Sequence, residues 1–326
     1  MSLPYPRPSV MVNAGQVLQY PKLEALKSDC LFQFVITIVD SLHIENPTQE
    51  FDLDRYLSLA GATRPEAFDW SAPGPSLDDD ALYCLGYMMD IESHTIIYMR
   101  ELLSTSVVED VTITSFLSCW VYEEFFHSQV LKRFLQSQAV AVDDRRFAAL
   151  RRHKPTDYHL QKLARLLSRI TRHFPAVHMT FGAINELSTL TGYRALAART
   201  CHPLLRTVLA RIVKDERRHF SFYFNQARRR LIHPAARFLT AALVRHFWTP
   251  VGSRVRGDAD MRRICAYLFD DQYGERRLAE HDSMIARLPG LEWFDLASRY
   301  ILKRKAEPKQ LRFGLRGGFS GAAHRC

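Results

Sequence analysis

Apolar positions recur at steps of three and four along most of the chain, and few segments alternate with a period of two. That pattern predicts an all-α protein. The breaker stretch Ser71-Ala-Pro-Gly-Pro75 is followed by Ser76 and by Asp78, Asp79 and Asp80, which read as an N-cap and an acidic first turn. The helix opened there is predicted to run to about Leu103, and a second to cover Thr105–Gln138. A shorter one, about Tyr158–His173, ends before Pro175, and a third long helix follows over Ala176–Arg199. The fourth starts at His202-Pro203, with proline in a tolerated first-turn position, and ends on Arg228, Arg229 and Arg230, cations suited to a helix C-terminus. Helical patterns continue over Ala235–Trp248 and Asp260–Arg304. Residues 1–75 read as an N-terminal extension containing a helix over Lys22–Leu42, 76–304 as the main helical body, and 305–326, basic and glycine-containing, as a flexible tail.

The apolar stripes of the four long helices are interrupted in one way. The second reads Ile113, Phe116, Leu117, Trp120, Glu124, His127, Leu131, Phe134, and the fourth Leu205, Leu209, Ile212, Glu216, His219, Tyr223. Each contains a Glu-x-x-His, whose side chains lie about one turn apart and can reach one ion together. The first stripe, Leu85, Met88, Glu92, Thr95, Met99, Leu102, carries a lone glutamate. So does the third, Met179, Gly182, Ala183, Glu186, Thr189, Leu190, Tyr193. Ionisable residues therefore stand where leucine is expected, and the lone glutamates precede the next motif by similar intervals, 92 to 124 and 186 to 216. Two antiparallel helix pairs of matching length would bring all six to one level.

Four carboxylates in a dry core are costly unless cations neutralise them, and two divalent ions would do so. Mixed carboxylate and imidazole ligands favour iron or manganese, whereas structural zinc prefers a closed four-ligand site, often with thiolate. Glu123 and Asp215 each precede a motif glutamate. A carboxylate there can accept the outer ring N–H of the histidine on the facing helix, which pairs Asp215 with His127 and Glu123 with His219. Gly182 and Ala183 leave room for a substrate chain or serve close helix packing.

Composition narrows the class. With 47% hydrophobic and 24% charged residues over 326, the chain is ordinary globular. A net charge of +9 suits an acidic partner, but the basic residues are spread out and no nucleic-acid motif occurs, so no nucleic acid is expected. The most apolar run, Leu31–Val39, stops at Asp40, too short for a membrane span. The opening MSLPYPRPSV has prolines where a secretory leader would be apolar, so no leader is expected. Six dispersed cysteines imply neither a zinc knuckle nor a disulfide framework and fit a reducing cytoplasm. Arg145, Arg146, Arg151 and Arg152 read as a solvated inter-helix face, or as a dock for an acidic carrier. His94 and His178 fall near the centre but off its helical phase, while His153, His173 and His324 have the look of solvated residues.

The segments Met88-Met-Asp-Ile-Glu92, Trp120-Val-Tyr-Glu-Glu-Phe-Phe-His127 and Lys214-Asp-Glu-Arg-Arg-His219 resemble the soluble acyl-carrier-protein desaturases of the ferritin-like di-iron superfamily. The resemblance spans about residues 80–300 and is stronger in the motifs than between them. It implies a ferritin-like four-helix bundle with additional N- and C-terminal helices, and makes Glu92, Glu124, His127, Glu186, Glu216 and His219 ligands of two iron ions, with manganese the other metal. Thr189 matches a threonine that these enzymes keep on the oxygen side of the centre. The implied activity is a dioxygen-dependent desaturation or oxygenation of an acyl or other apolar substrate. The implied partners are an electron donor such as a ferredoxin or its reductase, with an acyl carrier protein and a second copy of the chain in a homodimer as further candidates. The alternatives are an aryl-amine N-oxygenase and a metal-binding protein without turnover. Ile212 stands where N-oxygenases carry an additional histidine.

Overall fold

The computed structural model describes residues 51–61, 63–150 and 155–306, all within a unit spanning Glu45–Cys326. The helix expected over 22–42, the residues Arg151, Arg152, His153 and His324, and the tail beyond Ala306 lie outside the described residues. All regular secondary structure among the described residues is helical. The α-helices are α1 (Leu53–Leu59), α2 (Asp79–Leu103), α3 (Val111–Ser137), α4 (Asp144–Leu150), α5 (Pro155–Ile170) and α6 (Phe174–Ala197). They are followed by α7 (Pro203–Arg230), α8 (Pro234–Phe247), α9 (Ser253–Arg256), α10 (Asp258–Phe269), α11 (Gln272–Ile285) and α12 (Leu296–Ala306).

Local chemistry sets the ends of the long helices. Asp78, not Ser76, caps α2, its carboxylate accepting from Ala81 N at 2.6 Å. The second helix starts later than Thr105, because a 3-10 turn over Ser106–Glu109 intervenes and Asp110 caps α3 through Ile113 N at 3.0 Å. Pro175 does not mark a gap: it sits in the first turn of α6, where its missing N–H costs nothing. The helical patterns over 260–304 resolve into three helices, α10, α11 and α12. Asp271 accepts from Gly274 N at 2.7 Å to start α11, and a Cβ on Gly274 would stand 2.3 Å from Phe269 Cα, so the turn requires glycine. Asp282 then accepts from Ala297 N and Ser298 N and fixes the start of α12.

Helices α2 and α3 pack as one long pair and α6 and α7 as another, and α3 meets α7 across the core. The C-terminal helices α10 and α11 lie against α2 and α6. Phe116, Leu117, Leu131, Tyr193, Leu209 and Tyr223 are fully buried, so the stripes that carry the ionisable residues face inward. Gly182 allows α6 and α7 to approach closely, since a Cβ there would meet the Tyr223 ring at 2.2 Å.

Arg146 does not belong to a solvated face. Its guanidinium clasps Asp90 of α2 at 2.6 and 2.7 Å, and Arg256 approaches the same carboxylate, which is fully buried. Cys84, Cys119 and Cys265 are free thiols. No helix among the described residues is long and apolar enough to cross a membrane.

Candidate metal centre

Glu92 on α2, Glu124 and His127 on α3, Glu186 on α6, and Glu216 and His219 on α7 are all at most 6% exposed. Their ligand-type atoms fall into two quartets that could each hold a metal ion. The first contains Glu92, Glu124, His127 and Glu216, and the second Glu124, Glu186, Glu216 and His219; within each, one atom per residue lies within 4.8 Å of the others. Glu124 and Glu216 are common to both, so they can bridge two ions. Each ion would also have one histidine and one glutamate of its own.

The two histidines are held reciprocally. His219 on α7 places Nε2 2.9 Å from Glu123 Oε2 and Nδ1 3.0 Å from Glu124 Oε1, both on α3. His127 on α3 places Nε2 3.2 Å from Asp215 Oδ2 and Nδ1 3.1 Å from Glu216 Oε1, both on α7. Residue numbers rise on one helix as they fall on the other, so α3 and α7 run antiparallel here. A carboxylate at Nε2 selects the tautomer with the proton on that nitrogen, leaving the Nδ1 lone pair directed at the centre.

Further residues fix those carboxylates. Arg218 bridges Asp215 at 2.7 Å and Glu123 at 2.5 Å. Thr63 donates to Asp215 at 2.5 Å, and the Tyr56 hydroxyl donates to Glu123. On the inner side, the buried Tyr193 hydroxyl donates to Glu92. None of Tyr56, Thr63, Tyr193 or Arg218 stood out in the sequence. Arg218 alone left a signal there, lying three residues after Asp215 and directly before His219.

Electrostatics shows what the cluster lacks. Burial, then the nearby Glu124 and Glu216 charges, raise the Glu92 carboxyl well above its ordinary range. Burial likewise leads the rise at Glu186, where attraction from His219 only partly offsets Glu216 and Glu124. Burial disfavours charge on His127, yet Asp215, Glu124 and Glu216 outweigh it and raise its pKa. His219 is raised against burial in the same way, by Tyr56, Glu123, Glu124 and Glu186. At Glu124, burial is outweighed by its contacts with Glu92, His127 and His219, so its carboxyl is lowered. Protons thus occupy the place of cations. The geometry fits metal better than protons, because both inward Nδ1 atoms and both Glu216 oxygens are buried with no hydrogen-bond partner. Two divalent ions would balance the four inner carboxylates and engage these atoms.

Two cavities open on the cluster. One, of about 460 Å³, is lined by Glu92, Glu124, Glu186 and Glu216 and follows α6 past Gly182 and Phe181 to Phe174. The twelve residues from Glu186 to Phe174 correspond to roughly 18 Å of helix. The other, of about 110 Å³, touches Glu92 and is walled by Met261, Ile264, Leu268 and Leu278 from α10 and α11. Thr189 lines both. On α6 the Thr180, Ser188 and Thr191 hydroxyls each donate to the carbonyl four residues back, whereas the Thr189 hydroxyl has no hydrogen bond among the described residues. Ala183 is fully buried and lines neither cavity, so of the two small residues only Gly182 borders the space. His94 and His178 both line the larger cavity, and His178 accepts from or donates to Tyr98 at 3.1 Å.

No family model, curated protein or solved structure matches this chain, so geometry and chemistry carry the functional reading.

Proposed function

We propose that this protein is a ferritin-like di-iron oxidoreductase that uses dioxygen on an acyl chain or comparable apolar substrate, in a desaturase- or monooxygenase-type reaction. The observation that carries the reading is the coincidence of two glutamate-sharing quartets with a cavity long enough for an extended chain. A purely structural metal site gains nothing from such a cavity, whereas an enzyme requires one. The Glu and His donors, without thiolate, favour iron, with manganese the second candidate. Bound iron would supply the redox power to act on dioxygen and an unactivated C–H bond.

The chain's own residues do the rest. Glu92, Glu124, His127, Glu186, Glu216 and His219 hold the ions. Asp215 and Glu123 keep the imidazoles in one tautomer and orientation, and Arg218 holds both carboxylates in place. Leu167, Val177 and Phe181 give the larger cavity an apolar lining that excludes water from a hydrocarbon chain, and Arg254 lies exposed along its rim. Thr189 offers a hydroxyl where the two cavities meet the cluster. Ile212, fully buried one turn before Glu216, offers no additional ligand, which favours the desaturase-type reading over the N-oxygenase alternative. Electrons would come from a ferredoxin-type donor, and an acyl carrier protein is a candidate bearer of the substrate.

The test is to load the protein anaerobically with ferrous iron, reduce it, admit oxygen and measure oxygen uptake with and without fatty-acyl substrates. The expected result is uptake accelerated by substrate, with a product two hydrogens lighter or one oxygen heavier. Uptake indifferent to every substrate, ending in a ferric deposit, would establish a metal store instead.

A further inference from the structure

Where α6 begins, α7 ends and α8 begins, Arg172, His173, Ala176, Arg230 and His233 enclose a second kind of space, a cavity of about 290 Å³. It shares no lining residue with the two cavities at the metal centre. Ala176 lies ten residues before Glu186, roughly 15 Å along the helix. Four of the five lining residues are arginine or histidine, and no acidic residue lines the cavity.

Most of these cation-forming groups have no internal employment. The His173 and His233 rings lie 5.8 Å apart, and neither has a side-chain hydrogen bond or ion pair among the described residues. The Arg172 guanidinium has none either, and its side chain is exposed. Arg230 is the fixed member: it donates to Gln226 O at 3.2 Å and to Asp110 at 2.5 Å, which sets its position on the wall. Gathering basic groups around one cavity is unfavourable without an anion among them. The fold does not need them there, since none of the three unpaired side chains ties one element to another by a polar contact.

We propose that this pocket binds a phosphate group, either free or carried on a small phosphomonoester. Guanidinium forks match the spacing of phosphate oxygens and imidazoles add directional donors, a combination that suits a tetrahedral dianion better than a carboxylate. A volume of about 290 Å³ approaches the lower bound of ordinary small-molecule pockets, so it has room for a phosphate together with a compact ester group. Ala176 contributes the single apolar wall, so the ligand is recognised by charge. The inference does not depend on the di-iron reading and survives its failure.

The experiment is calorimetric titration of the full-length chain with inorganic phosphate, glycerol phosphate and, as an ionic-strength control, chloride, with histidine ring protons followed by NMR. One saturable phosphate site that shifts two histidine signals, both lost in a H173Q/H233Q variant, is expected. R172A should weaken binding by about tenfold, the worth of a charge-assisted contact. Tighter binding of glycerol phosphate than of phosphate would identify a monoester ligand, and equal binding the free anion. Chloride-like, unsaturable responses, or phosphate affinity unchanged in R172A, would overturn the proposal. Should the double histidine variant fail to fold, the exposed R172A decides alone.

Discussion

Glu123 and His219 meet at 2.9 Å across α3 and α7, and the same ring touches Glu124 with its other nitrogen at 3.0 Å. Two consecutive glutamates therefore grip opposite edges of one imidazole. Asp215 and Glu216 grip His127 in the same way from α7. The arrangement separates roles between neighbours in the chain: Glu124 and Glu216 turn toward the shared cluster, and Glu123 and Asp215 contact the outer nitrogen of the opposite helix's histidine.

Removing the orienting carboxylates should weaken metal binding without removing a ligand. In E123Q/D215N the imidazoles lose the acceptors that fix their tautomer, and affinity for ferrous or manganous ion should fall by about 10- to 100-fold. Competition against a chelator of known affinity measures this. Unchanged affinity would mean that these acids serve packing alone.

The shared quartets also predict stoichiometry. Intact protein should bind two divalent ions per chain, while H127A and H219A, each spoiling one quartet and sparing the other's histidine, should bind one. Metal analysis after dialysis reads this directly. Loading should raise Tm, because ions that bind only the folded state stabilise it. Full loss of both ions in each variant would show one cooperative cluster rather than two separable sites.

How stability depends on pH follows from the proton affinities of the metal-free cluster. His127 and His219 are raised above their ordinary 6.5, so their stabilisation is complete below 6.5 and lost as pH rises through the folded values. Glu92 and Glu186, raised above 4.5 mainly by burial, hold protons that the unfolded chain has released, and their contribution also falls with rising pH. Glu124 and Glu123 are lowered from 4.5 and Asp215 from 3.8, so what they contribute is lost only in acid, as pH falls below those values. Metal-free protein should therefore lose stability as pH rises above 4.5 and further as it rises above 6.5, while metal binding strengthens over the same interval as ligands deprotonate. The Tm difference between loaded and metal-free protein should widen with pH. A gap that narrows would contradict the assignment.

The inner residues were legible because burial of an acid breaks a periodic apolar stripe, and a broken period can be seen in one dimension. Glu92 and Glu186, one to a helix, needed only that logic. Their partners had no such mark. Tyr193 looks like any core tyrosine until its hydroxyl is found against Glu92, and Tyr56 and Thr63 come from a segment whose approach to α3 and α7 no local pattern encodes. Arg146 looked solvated because its neighbours in sequence are basic, whereas its partner, Asp90, lies 56 positions away. Helix ends failed where several capping residues compete, as Ser76 and Asp78 do, or where a proline fits inside a first turn.

Asp90 yields a stability prediction independent of metal. It is fully buried and contacted by Arg146 and Arg256, which tie α4 and α9 to α2. R146A/R256A strands a buried carboxylate and should cost about 3–5 kcal/mol, whereas R146A alone, with Arg256 still present, should cost less. Urea denaturation of metal-free protein compares them. Equal effects of the single and double variants would show that Arg256 does not support the carboxylate by itself.

Thr189 tests the enzyme reading most sharply. Its hydroxyl lines both cavities beside Glu92, and unlike the Thr180, Ser188 and Thr191 hydroxyls it is not returned to the helix backbone. A side chain kept free of that local bond is available to a reactant entering either cavity, and it contributes no hydrogen bond to the fold. T189V preserves shape and removes the hydroxyl, so metal content and Tm should stay close to those of the parent protein. Substrate-coupled oxygen consumption should fall by about 100-fold, the lower end of what a lost proton-handling group costs, and T189S should restore much of it. The split between intact metal binding and lost coupling is the informative outcome, because a packing role would move stability first. If T189V turns over substrate as fast as the parent protein, Thr189 lines the cavities without taking part in the chemistry.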